Sequence, residues 1–174
     1  GVDGIGGASA VAVSPDGYSV YVTGATSNAL AVFDRSTSIQ GMLTFVGSLH
    51  DGELGLDGLS SPTGVAVASS GRVFVSSAGD NALSAYEWSF PSLVQVDLWR
   101  NGDPNPYVGG TIGGLLGATG VATAQGYFGT DVYVSSESDS SVSVFTTSLL
   151  SQLYEAQVVQ DGVDDFDGLA QAQG

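Results

Sequence analysis

Any catalytic chemistry in this chain would centre on His50, because the sequence has one histidine and no cysteine. A general base needs a partner group, and the neighbouring Asp51 would supply one. A Ser-His-Asp triad also stays open, since serine and aspartate are abundant, although no Gly-x-Ser-x-Gly elbow is present. His50 stands at the end of a strand-like segment, and we interpret it as an exposed loop residue. We therefore predict no catalytic residue.

Acidic side chains collect in the segments that separate the apolar runs. Asp3 opens the chain, and two groups follow, one of Asp51, Glu53 and Asp57 and one of Asp161, Asp164, Asp165 and Asp167. Calcium binds several carboxylate oxygens on a glycine-containing loop, but the spacing fits neither an EF-hand nor a nonapeptide calcium repeat. We favour solvated loops in which Asp-Gly pairs make turns. Calcium at the Asp161–Asp167 group is the alternative, and the sequence suggests no other cofactor.

Three aromatic residues stand in segments that interrupt the regular pattern described below. They are Tyr107, Tyr127 and Phe128. Exposed rings of this kind stack on sugars or anchor a protein partner, and packing of each loop onto its own sheet is an equal alternative. The glycine-rich run Gly109–Gly114 lacks a lysine and a following helix, so we reject a phosphate-binding loop.

The composition excludes some partners and favours others. Three arginines and no lysine stand against 18 acidic residues, which gives a net charge of −15. Nucleic acids and anionic membrane surfaces need clustered basic residues, and no apolar run is long enough to span a bilayer. Charged residues make up 12% of the chain, about half of the usual share. This scarcity favours contact with other copies of the chain, or glycans on serine and threonine. The composition also favours the outside of a prokaryotic cell.

The chain repeats one pattern three times. Ser9-Ala-Val-Ala-Val13 recurs from Thr63 and again from Thr119, at offsets of 54 and 56 residues. The later elements of the pattern are a Val-aromatic-Val segment, a segment that opens Asn-Ala-Leu or Ser-Ser-Val, and a fourth apolar run. Each element is short, rich in β-branched and aromatic residues, and bounded by turn formers.

Four short strands in a unit of about 55 residues are typical of one blade of a β-propeller. We predict an all-β fold with three four-stranded antiparallel blades in a single domain, 1–174. Blade 1 covers about 8–59, blade 2 about 60–115 and blade 3 about 116–169. The segments Asn101–Tyr107 and Ala124–Thr130 are predicted to be inserted loops, because turn formers or extra residues interrupt the pattern there.

The run Val11-Ala-Val-Ser-Pro-Asp-Gly17, followed by Val20-Tyr-Val-Thr-Gly24, resembles the Tyr-Val-Thr-Asn-type β-propeller repeat. Bacterial surface proteins and lactonase-like propellers contain that repeat. The resemblance implies a ring of about seven blades, and its lactonase members imply a sugar-lactone hydrolase. No catalytic residue is carried over, because the matching positions are strand and turn residues.

Three blades leave two sheet faces open, and the chain begins and ends at the same point of the repeat. We therefore expect a non-catalytic extracellular structural or adhesive protein that assembles through its blade edges into a ring, a fibre or a tube. A longer polypeptide could also complete the arc. The alternatives are a lactonase-like hydrolase and a surface module that binds calcium or carbohydrate.

Overall fold

The computed structural model describes residues 1–89, 92–147 and 152–162, and within these ranges it contains strands and no helix. The twelve strands are β1 (Ala8–Val13), β2 (Ser19–Gly24), β3 (Ala29–Arg35), β4 (Leu43–His50), β5 (Pro62–Val67), β6 (Val73–Ser77), β7 (Ala82–Ser89), β8 (Ser92–Arg100), β9 (Ala118–Gln125), β10 (Thr130–Ser136), β11 (Ser141–Thr147) and β12 (Leu153–Gln160).

The strands form three four-stranded antiparallel sheets, each a simple up-and-down meander. Strands β1 to β4 make blade 1, β5 to β8 make blade 2, and β9 to β12 make blade 3. The predicted all-β fold with three four-stranded blades is confirmed. The segment from Asn101 to Tyr107 is a loop, as expected. The second predicted insertion is partly strand: Gln125 pairs with Thr130, and residues 126–129 form the hairpin tip between β9 and β10.

Local sequence explains where the strands turn. In blade 1, the Ser14 hydroxyl and the Asp16 carboxylate bind backbone groups of the β1–β2 turn, and Gly17 takes a positive φ of 78°. Between the second and third strands, each blade places a residue with φ near 50° at the same position: Asn28, Asn81 and Ser140. Asparagine tolerates this left-handed conformation well, which suits it to the turn.

Each blade packs face to face on the next. We call the face toward the preceding blade the leading face, the face toward the following blade the trailing face, and each blade–blade contact a joint. Joint 1–2 encloses the following core residues: Tyr21, Leu30 and Val32 from blade 1, and Val65, Val73, Val75 and Tyr86 from blade 2. Joint 2–3 encloses Phe74, Leu83 and Ala85 from blade 2, and Val132, Val134 and Phe145 from blade 3.

Each joint also contains one of the two tryptophans. At joint 1–2, the Trp88 indole N–H donates to the Tyr21 hydroxyl at 2.8 Å. At joint 2–3, the ring of Trp99 lies 5.7 Å from the ring of Phe145. Aromatic pairs of this kind add to the stability that apolar burial provides.

The innermost strands of adjacent blades approach each other closely, and small residues allow this. A Cβ atom added to Gly64 in β5 would lie 2.6 Å from the Ser76 hydroxyl of its own blade, 3.0 Å from the Val121 amide nitrogen and 3.2 Å from the Gly120 Cα atom of blade 3. Backbone atoms cannot move aside as the end of a flexible side chain can. Joint 2–3 therefore depends on a glycine at this position.

We expect Gly64→Ala to lower the free energy of unfolding by about 1–3 kcal/mol, because the new methyl group forces the two strands apart. Gly47→Ala is the matched control, since Gly47 lies in strand β4 and a Cβ atom there meets nothing within 4 Å. Urea unfolding followed by circular dichroism measures both variants. Equal stability of the two variants would contradict a close approach at joint 2–3.

Candidate functional site

His50 is the last residue of β4, and its side chain is held between two polar groups. Its Nε2 atom lies 3.1 Å from Asp3 Oδ2 and 3.1 Å from the Ser48 hydroxyl. The interpretation of His50 as an exposed loop residue was therefore wrong. The Gly4 backbone N–H, and next His50 itself, lower the pKa of Asp3.

The three residues do not have the geometry of a catalytic triad. In a triad, the aspartate binds one imidazole nitrogen and the serine binds the other, so that a proton moves through the ring. Here Asp3 and Ser48 both meet Nε2. Asp51, the partner suggested by the sequence, accepts a hydrogen bond from the Leu59 N–H at 2.9 Å instead.

The role of His50 becomes clear from the next repeat. Arg100 ends β8 as His50 ends β4, and its guanidinium pairs with Asp57 as His50 pairs with Asp3. Asp3 and Asp57 each precede a glycine in the segment that leads into a blade. The pair therefore fastens the entry segment of a blade to the outermost strand of that same blade.

Blade 3 lacks both members of this pair. Gln160 ends β12, and Gly113 stands where the other entry segments have aspartate. The Gln160 amide donates instead to the Asp139 carbonyl at 3.0 Å. The basic residue and the aspartate are thus present together in two blades and absent together in the third, which supports a structural role for His50.

One acidic cluster lies where blade 1 leads into blade 2. Carboxylate oxygens of Asp51, Asp57 and Asp80 lie within 4.8 Å of one another. Backbone N–H groups of the linker donate to all three, and Arg100 also pairs with Asp57. These contacts explain the cluster as a set of caps for the linker backbone.

The acidic group that we singled out for calcium lies at the other end of the chain. Asp161 is exposed, and its backbone N–H donates to the Ser140 carbonyl at 3.0 Å. Asp164, Asp165 and Asp167 lie outside the described residues. Calcium at this group stays a prediction.

The three aromatic candidates lie at opposite edges of blade 3. The ring of Tyr107 lies 5.3 Å from that of Tyr154, on the outermost strand. Tyr127 and Phe128 form the tip of the β9–β10 hairpin, on the innermost strand, with ring centroids 4.7 Å apart. The side chain of Tyr127 is almost fully exposed. The structure does not bring the three rings together into one binding surface.

The loop that contains Tyr107 covers an acidic group that sequence reasoning missed. Glu155 in β12 is 5% exposed, and its carboxylate accepts from the Gly113 N–H at 3.1 Å. The Asn105 amide donates to the Glu155 carbonyl at 3.0 Å. Burial raises the pKa of Glu155 to about 7, and the Gly113 hydrogen bond partly opposes that shift. The only feature of the sequence that could have indicated this buried carboxylate is a single glutamate within an outer strand.

A cavity of about 150 Å³ opens between the outer strands of blades 1 and 2. Its lining contains Val32, Leu49, Trp88 and Leu93 together with small residues, and no ionisable side chain. The cavity therefore offers no acid or base for chemistry.

The two end faces of the arc are the remaining candidate site. Tyr21, Phe74 and Tyr133 occupy the same position in the second strand of each blade, on the trailing face. Tyr21 is 1% exposed and Phe74 0%, because the next blade covers each of them, whereas Tyr133 is 38% exposed. Around Tyr133 the trailing face of blade 3 presents Ala122, Val142 and Val144.

The leading face of blade 1 is open at its innermost strand, whereas Val20, Ala31 and Phe33 on the same face are buried together. Val11 and Val13 in β1 are largely exposed, whereas Val65, the counterpart of Val11 in blade 2, is buried at joint 1–2. Ile5 is also exposed, but the leucines that stand at its position before blades 2 and 3, Leu59 and Leu115, are fully buried. Both end faces are thus apolar surfaces of the kind that a neighbouring blade covers.

Comparison with known proteins supports the fold and no more specific assignment. No protein-family model and no curated protein sequence matches the chain. Among solved structures, a candidate 6-phosphogluconolactonase from Bacteroides fragilis aligns with a TM-score of 0.63 at 11% identity, over 90% of this chain and 40% of that one. A periplasmic gluconolactonase from Pseudomonas aeruginosa aligns with a TM-score of 0.61 at 19% identity, over 87% and 39%.

Virginiamycin B lyase from Staphylococcus aureus gives a TM-score of 0.52 at 14% identity, over 92% of this chain and 44% of the lyase. The chain therefore has the fold of lactonase-like and lyase β-propellers, and it spans about two fifths of their length. Identities this low show the fold alone. No helix that could cross a bilayer occurs among the described residues.

Glu155 makes the stability of the chain depend on pH. Its pKa is higher in the folded protein than in the unfolded chain, so its protonated form favours folding. That contribution is complete below about pH 4.5 and is lost as the pH rises toward 7. We expect Glu155→Gln to be more stable than the wild type at pH 8 by about 1–2 kcal/mol, and to differ much less at pH 4.5.

Urea unfolding across this pH range measures the difference. Glu53→Gln is the control, because it removes the same charge from an exposed linker. A difference between Glu155→Gln and the wild type that is constant with pH would show that Glu155 titrates normally in the folded protein.

Proposed function

We propose that this chain is a non-catalytic assembly unit, in which the trailing face of blade 3 joins the leading face of blade 1 in a second copy. The observation that carries the proposal is the exposure of Tyr133. The same position is covered at both joints within the chain and open at the end of the arc.

The proposed partner is a second copy, because the two end faces repeat the two sides of an existing joint; further blades of a longer polypeptide would present the same two sides. Val11 would cover Tyr133 of the neighbouring copy as Val65 covers Tyr21. Ile5 would enter between the copies as Leu59 enters between blades 1 and 2. Such a joint is heterologous, so repetition gives a closed ring or an open filament.

Charge opposes this association and makes it sensitive to salt. Each copy carries a net charge of −15, so two copies repel each other at low ionic strength. The end faces present mainly valine, alanine, isoleucine and tyrosine, and the trailing face of blade 3 also carries Asp131, which accepts a hydrogen bond from the Thr146 hydroxyl. Added salt therefore weakens the repulsion and leaves the apolar contact in place.

The proposed location is the outside of a prokaryotic cell. The support is compositional: the chain has no cysteine and no lysine, and acidic residues far outnumber basic ones. The Pseudomonas gluconolactonase is named as periplasmic, which, like the proposed location, lies beyond the cytoplasmic membrane.

The hydrolase alternative has weaker support. It depends on the lactonases among the structural neighbours, with which the chain shares the fold at low identity. The one serine–histidine–aspartate group on the described part of the chain, Ser48, His50 and Asp3, has the wrong geometry for a triad. Binding of calcium or of a glycan stays a prediction.

Sedimentation equilibrium over a range of protein concentrations tests the assembly proposal. We expect the wild type to form dimers or larger species as concentration and salt increase. Tyr133→Asp and Val11→Asp should each weaken association at least tenfold, because each places a charge in an apolar contact. Ile39→Asp adds the same charge to the exposed turn between β3 and β4 and should leave association unchanged.

Electron microscopy of the associated wild type then distinguishes rings from filaments. A wild type that stays monomeric at every concentration and salt level would overturn the proposal. So would equal effects of the three aspartate variants.

A further inference from the structure

Each joint within the chain is fastened by one asparagine side chain. The Asn28 amide oxygen, in blade 1, accepts a hydrogen bond from the Ser61 N–H at 2.8 Å, and Ser61 is the residue just before blade 2. The Asn81 amide oxygen, in blade 2, accepts from the Gly117 N–H at 2.8 Å, just before blade 3. We call this contact the asparagine latch.

The third position of this kind is a serine. Ser140 lies in the same turn of blade 3, and its φ of 49° matches those of Asn28 and Asn81, at 49° and 51°. The backbone is therefore placed as in the other blades. The Ser140 hydroxyl oxygen stands one bond closer to the main chain than an asparagine amide oxygen does, so it falls short of the position that the latch requires.

Each joint has a second side-chain hydrogen bond, and a hydroxyl also occupies its donor position at the end of the arc. The Ser9 hydroxyl donates to the Pro62 carbonyl at 2.7 Å across joint 1–2, and the Thr63 hydroxyl donates to the Ala118 carbonyl at 2.6 Å across joint 2–3. Thr119 occupies the same position in blade 3 and also has a hydroxyl. In a second copy, the carbonyl at the equivalent position belongs to Ala8.

The donor for the latch in a second copy can be identified in the same way. The Ser61 and Gly117 carbonyls accept from Ala78 and Glu137 of their own blades, and the Gly7 carbonyl accepts from Ala25 in blade 1. Gly7 therefore stands where Ser61 and Gly117 stand. A joint between copies would place the Gly7 N–H opposite Ser140.

We infer that Ser140 weakens the joint between copies, so that this joint keeps the apolar contact and the Thr119 hydrogen bond but lacks the asparagine latch. This inference rests on the proposed function. The joints within the chain are therefore stronger than the joint between copies. The joint between copies forms at high protein concentration and dissociates on dilution.

The test is to restore the latch. Ser140→Asn should tighten association about two- to tenfold, which is the effect of one added hydrogen bond. Ser140→Gly is the matched control, because glycine accepts the positive φ and supplies no acceptor. Thr119→Val should loosen association by a similar factor, since valine keeps the shape of threonine and removes its hydroxyl.

Sedimentation equilibrium gives the dissociation constant of each variant, and circular dichroism shows that each is folded. A wild type that associates, with Ser140→Asn alone associating more tightly than it does, supports the inference. A wild type that associates, with Ser140→Asn and Ser140→Gly equal to it, overturns the inference and leaves the proposed function standing. If the wild type and Ser140→Asn both stay monomeric, both proposals fall.

Discussion

The structure depends on one constraint, which is that each sheet is apolar on both faces and needs a neighbour on each side. Burial of apolar surface is the main contribution to stability, and most of the buried apolar residues lie in the two clusters between blades. Tyr21 and Phe74 are covered only because another blade follows them. The blades therefore stack one after another along a single direction. The two end faces of the arc present the same kinds of surface that are buried at the joints between blades.

Polar contacts between the blades fix how the apolar sheets stack on one another. At the inner strands a hydroxyl of one blade meets a carbonyl of the next, and at the turns an asparagine meets the N–H group that enters the next blade. Between these points, Gly64 lets the backbones approach. Each contact contributes little alone, but together they fix the spacing and rotation of one blade relative to the next.

The sequence was sufficient to predict the strands and the three blades, because the repeat aligns strand with strand and turn with turn. The same alignment placed Ser9, Thr63 and Thr119 at one position, yet the bonds of Ser9 and Thr63 cross between blades, and no local pattern predicts such a contact. His50 was misinterpreted because its partner Asp3 lies 47 residues away. Comparison with Arg100 would have indicated the pair. Glu155 could not be predicted, since its burial depends on how an irregular loop folds over it.

The fluorescence of the two tryptophans reports whether the three blades unfold together. Trp88 lies at joint 1–2 and Trp99 at joint 2–3, and the chain has no other tryptophan. Removal of either one leaves a single indole whose emission responds to the separation of one pair of blades. If both signals change at the same denaturant concentration, the arc unfolds as one unit. If they differ, the blades melt in sequence from one end, as expected for a linear array with nearest-neighbour coupling.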